Sequence, residues 1–222
     1  MISLAGSVSG SLYYWRDPIQ ADAAWALPER VDEFPLRPVG WSQLELRTSS
    51  PLVRGEPPGL LEYRYPFLLR RSGAHLLLVG SDSDIVPFLL KELRYSSRLT
   101  APVVDVVMLA AELAKRPGEY CLGVVWARVD GFGESLRTIA LFGSDLAEAR
   151  LFLDLLPLMR PFRVTLKHVR SGADILSIGA GGGVSFGFHD QHSLRDVDAC
   201  LAYLNRRRLV AWETPLAEAG KI

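Results

Sequence analysis

Proline sets the first limit on what this chain can fold into. Eight of its 14 prolines fall within the first 66 residues. Proline lacks a backbone N–H and fixes φ, so it interrupts helices and central strands. Residues 1–66 are therefore expected to form short strands, at 11–15 and 41–47, with irregular chain between them. Three of the five tryptophans, Trp15, Trp25 and Trp41, share this stretch. Such aromatics either anchor a loop-rich flap to a core or line a binding surface.

From residue 60 the pattern becomes regular. Apolar runs at 60–70 and 74–79 flank Arg71-Ser72-Gly73 and predict a hairpin. A helix is expected over 84–95, opened by Ser81 and Asp84 at capping-box spacing. Pro102 introduces a second helix over 102–115, whose run VVDVVMLAAELA is apolar on nearly all sides. That implies cover on most faces. Strands follow at 120–129 and 135–142, then a helix at 145–156, strands at 162–169, 174–179 and 184–189, and a helix from Ser193 to Asn205. A last strand is expected at 209–212. Periodicity puts Leu77, Leu89, Val107, Leu153, Leu156, Val164, Leu166 and Phe188 in the core. The strings GSDSDIVPFLLKEL at 80–93 and GSDLAEARLFLDLL at 143–156 match at five positions, each after a hairpin and at a helix start. Duplication and convergence on good capping residues explain the echo equally well.

The fold class that follows is α+β: a mixed or antiparallel sheet with packed helices, in one compact unit over 1–222. A sub-boundary falls near 96–101, between a Pro/Trp-rich part (1–98) and a C-terminal part (101–222). After residue 102 the order is α-ββ-α-βββ-α. In that order, over about half the chain, the protein resembles the roadblock and longin families and the profilin-like folds. The resemblance implies a non-catalytic module that dimerises or docks onto a partner such as a small GTPase.

Composition narrows function by exclusion. With 25 basic and 25 acidic residues the net charge is zero, and half the residues (49%) are apolar. A packed core is expected, and a nucleic-acid binder is not, since such domains carry a basic excess. Cys121 and Cys200 have neither CxxC nor zinc-finger spacing, so free buried thiols in a reducing compartment are expected. The start, MISLAGSVSGSLYYW, lacks a signal-peptide pattern. The most apolar stretch, 103–114, is too short to span a bilayer. A cytoplasmic protein without membrane insertion is the expectation.

Candidate chemistry is sparse. Gly179-Ala180-Gly181-Gly182-Gly183 follows an apolar strand like a dinucleotide fingerprint. Yet VSFGFH after it alternates as a strand and opens no helix, so a glycine-rich hairpin loop is expected. His189-Asp190-Gln191-His192 groups three possible metal ligands beside a helix start, outside any recognised zinc frame; capping accounts for them. His168 falls in phase with Phe162, Val164 and Leu166 and is expected in the core or at its edge. There is no G-x-S-x-G elbow and no P-loop. No catalytic, cofactor or metal residue is therefore assigned, and no cofactor is expected.

The function expected is a non-catalytic interaction or regulatory module: an adaptor, an immunity-type inhibitor or a small-GTPase-facing scaffold. The alternative is a small enzyme whose site is assembled from dispersed residues. The partner is another protein, with an acidic surface as one form it could take, and a homodimer is open. Candidate contacts are Trp15, Trp25, Trp41 and the basic run Arg206, Arg207 and Arg208, because aromatics and arginine dominate interface hot spots.

Overall fold

The computed structural model of the chain describes residues 6–15, 27, 29–37, 40–49, 51–52, 62–72, 75–80, 86–92, 99–102, 104–115, 118–129 and 137–207. The expected strand at 209–212 lies outside them. The strands are β1 (Gly6–Trp15), β2 (Val31–Pro35), β3 (Trp41–Thr48), β4 (Tyr63–Ser72), β5 (His75–Gly80), β6 (Leu99–Thr100), β7 (Tyr120–Val129), β8 (Thr138–Phe142), β9 (Met159–His168), β10 (Asp174–Gly179) and β11 (Gly183–Phe188). The α-helices are α1 (Val86–Glu92), α2 (Val106–Lys115), α3 (Arg150–Leu155) and α4 (Gln191–Arg206). No helix among the described residues is long and apolar enough to cross a membrane.

This corrects the expectation of an α+β fold with packed helices. Strand dominates, and α1 and α3 have only 7 and 6 residues. The reason is long-range pairing. β1 begins GSVSGSL, weak in intrinsic strand preference, yet it is laddered to β5 on one side and β11 on the other. The order α-ββ-α-βββ-α does recur from α2 onward, but it is not a self-contained layer of strands and helices. Its last strand, β11, pairs with β1.

The chain forms two compact units, residues 1–101 with 183–195, and residues 102–182 with 196–222. The first is an antiparallel sheet in the order β2-β3-β4-β5-β1-β11, with β6 paired to the end of β1. Its register puts Leu44, Leu46, Tyr65, Phe67, Leu69 and Leu78 on one face, where Val86, Leu89 and Leu90 of α1 join them in one cluster. The opposite face carries Trp41, Leu68, Leu77, Val79, Val8, Leu12 and Phe186, all at most 5% exposed. β3 and β11 are four ladder steps apart, about 19 Å in a flat sheet. Yet the Trp41 and Phe186 rings stand 6.3 Å apart, edge to face. The sheet therefore curls around this second face, as sheets do at glycine kinks. Gly10 on β1 is such a point, because a Cβ there would strike the backbone of β5.

The second unit is the antiparallel order β10-β9-β7-β8. α2 buries Val106, Leu109, Ala110 and Leu113, the i, i+3, i+4, i+7 stripe. Other positions are open, contrary to the expected cover on most faces: Val107 is 49% and Met108 41% exposed. Between β8 and β9 the expected single helix is broken into a 3-10 turn (Leu146–Glu148), α3 and a second 3-10 turn (Leu156–Leu158). This shifts the phase, so Phe152 is buried and Leu153, expected in the core, is 45% exposed. The second half of α4 buries Val197, Cys200, Leu201, Tyr203 and Leu204, with Tyr203 tilted against Tyr120 of β7 at 5.0 Å.

Candidate functional site

Each residue singled out in the sequence has a definite place or lies outside the described residues. Trp15 ends β1, its backbone opposite Leu99, and its side chain is not among those described. Trp25 and Arg208 lie outside the described residues. Trp41 is 1% exposed, a core side chain with no surface to offer a partner. Arg206 ends α4 and Arg207 follows it, both exposed. The Arg207 guanidinium lies over the Tyr203 ring, 5.1 Å from its centroid, a cation–π contact one turn back.

The glycine string forms the turn between β10 and β11. Gly182, at φ +75°, donates its N–H to the Gly179 carbonyl at 3.0 Å. A strand, not a helix, follows it, and the Ala180 carbonyl accepts the Val104 N–H at 3.0 Å, just ahead of α2. Asp190, not Ser193, is the residue that opens α4. Its Oδ1 accepts the N–H groups of His192 at 2.8 Å and Ser193 at 3.1 Å. Those bonds, the Ser193 one foremost, hold its carboxyl below the usual range. His168 sits half-buried at the end of β9, its ring 5.7 Å from Tyr120 and its Nδ1 accepting the Ser171 N–H at 3.3 Å. No group of three metal-ligating side chains occurs among the described residues.

Both thiols are buried. Cys121 donates to the Ser144 carbonyl at 3.4 Å. Burial pushes its titration upward, nearby Asp145 adds to this, and Lys167 opposes it. Burial likewise raises Cys200 far above the usual thiol range. These are the surroundings of an inert thiol rather than a nucleophile.

In the first unit an open groove of about 410 Å³ is lined by Glu29, Arg30, Arg47, Thr48, Ser49 and Glu62. The lining carries two carboxylates and two guanidiniums. Arg47 bonds the Glu29 carbonyl at 2.9 Å and Asp32 at 3.2 Å, while Arg64 joins Glu62 at 2.7 Å to the buried Glu45 at 3.2 Å. Arg47 and Glu62 are thus held in ion pairs, and the formal charges of the lining sum to zero.

The second unit carries the more distinctive surface. Phe142 is 71% exposed, Leu151 65%, Leu158 48%, Leu153 45% and Phe162 39%. Leu151 and Leu153 flank the buried Phe152, because three consecutive residues of a short helix cannot all face one core. Phe142 ends β8, whose exposure alternates along its five residues, and its ring meets Trp126 edge to face at 6.4 Å. None of these residues was marked in the sequence as a contact. The one available signal was the apolar density of 151–158, interrupted by Asp154, which reads as core until the helix proves broken. Compared with known proteins, the chain matches no family model and no curated protein.

Proposed function

We propose that this chain is a non-catalytic protein-interaction or regulatory module that engages another protein through the segment 142–162. One observation carries the reading. Ten large apolar side chains are exposed among the described residues, and five of them fall within these 21 positions. Scattered exposed apolar residues are ordinary, whereas a concentration of them marks an interaction site. The exposed Arg206 and Arg207 remain candidate contacts for an acidic partner, and Trp41 is withdrawn because it is buried. The thiols and the balanced groove support the non-catalytic side of the reading, since neither offers an activated group in a shaped pocket.

The test is capture from the native host with the wild-type chain and with Leu151→Glu/Leu158→Glu. Both residues are exposed, so the fold should survive, as circular dichroism would check. A protein held by the wild type, lost by the variant and rebound as a purified component is the expected result. Equal capture by both chains would remove this surface from the account.

A further inference from the structure

We propose that the protein pairs with itself through the edge of its second unit, β8 against β8 of a second copy, antiparallel about Ala140. This deepens the interaction reading and rests on it. The ladder to β7 shows which groups the edge presents. The Val129 N–H donates to the Arg137 carbonyl at 3.3 Å, and the Gly143 N–H to the Gly123 carbonyl at 2.9 Å. Antiparallel pairs alternate between bonded and non-bonded positions. Residues 137, 139, 141 and 143 therefore direct their backbone groups into β7. Thr138, Ala140 and Phe142 direct theirs away from it. Among the described residues β8 pairs with β7 alone.

Sheet edges are ordinarily blunted by lysine, proline or a bulge. Thr138–Phe142 has no charge and no proline, and its register with β7 is unbroken. The three outward residues are also self-complementary. Centred on Ala140, an antiparallel copy sets Ala140 opposite its own counterpart and Thr138 opposite Phe142 of the second copy. All three positions exchange hydrogen bonds in both directions. The two identical side chains that meet on the axis are small. The flanking pairs set a β-branched residue against an aromatic one, a favourable cross-strand combination. A strand facing itself commonly sets like charges together; here there are none. The pairing also covers Phe142, 71% exposed in the single chain. A strand from a different protein would find the same donors and acceptors, but the central alanine and the neutral run match this sequence to itself.

Sedimentation velocity on the full chain from about 1 to about 200 µM tests the pairing, a range suited to a small interface. The expected result is a species of twice 24.6 kDa that grows with concentration. Ala140→Pro removes an outward N–H without touching the β7 ladder, and Thr138→Lys places a charge on the edge. Each is expected to weaken association at least tenfold with the circular dichroism spectrum unchanged. Ala140→Cys is expected to cross-link under mild oxidation, since bonded partners sit about 5.5 Å apart at Cα. Should Ala140→Pro unfold the chain, Thr138→Lys and the cross-link decide. A wild type of 24.6 kDa throughout, association indifferent to Thr138→Lys, or no cross-link at associating concentrations would each overturn the proposal. A monomer that still captures a partner through Leu151 and Leu158 overturns self-pairing alone; loss of capture as well takes the interaction reading with it.

Discussion

Adding one methyl group at Gly10 should cost about as much as removing a large core side chain. Gly10 lies on β1 opposite Val79 of β5. An added Cβ would fall on the Leu78 carbonyl oxygen and within 2.5 Å of the Val79 Cα. Both are backbone atoms of a strand whose Leu78 and Val79 side chains are 0% exposed, so neither can swing aside. The strands must separate. Overpacking of this kind costs about 1–3 kcal/mol. Two weakened ladder bonds add about 1 kcal/mol each. The expected loss for Gly10→Ala is therefore about 3–5 kcal/mol, a large share of the roughly 5–15 kcal/mol that holds a typical domain together. Urea unfolding followed by tryptophan fluorescence measures it, and buried Trp41 reports on this unit. Gly181→Ala is the control, because a Cβ there meets nothing within 4 Å. A Gly10→Ala midpoint within error of the wild type would refute the curled-sheet reasoning.

Three further outcomes follow from particular residues. Phe152→Ala should destabilise by about 3–5 kcal/mol and Leu153→Ala by less than about 1 kcal/mol, since Phe152 is 1% and Leu153 45% exposed; calorimetric midpoints in the reverse order would contradict the burial. Cys121 and Cys200 should react slowly with a thiol reagent in the native chain and quickly in denaturant at the same pH, because burial raises both thiols; rapid native labelling would contradict this. Asp190 titrates below its unfolded value, so its support for the start of α4 is complete above the ordinary carboxylate range and is lost as pH falls toward the lowered value. Helical signal should therefore fray earlier on acidification in the wild type than in Asp190→Asn, which keeps an acceptor that does not titrate; identical acid profiles would contradict the assignment.

Much of the secondary structure was legible where local pattern and final pairing agree. YCLGVVWARV, apolar on both faces, is β7 over the expected 120–129, and DILSIG is β10 over 174–179. The glycine string was legible as a turn because the alternation after it belongs to a strand. Other features depend on distant partners. β2, VDEFP, has an acidic, proline-ended sequence and becomes a strand through its ladder to β3. Gly and Ser at the start of β1 resemble loop, yet two neighbouring strands claim that segment. On α2 no phase could be read from a helix apolar all round, so Val107 was placed in the core and Val106 is the residue buried there. The interaction surface was hidden for the same reason. Trp41 is a candidate contact by residue type, yet the curl of the sheet encloses it, and Leu153 is expected in the core, yet α3 ends after 6 residues and leaves it exposed.

Amide hydrogen exchange on the captured complex is the most direct test of an interaction surface at 142–162. The account predicts slowed exchange in peptides covering α3 and the turn through Leu158, with the 29–62 groove unchanged. Protection confined to the groove, with 142–162 exchanging as in the free chain, would contradict it.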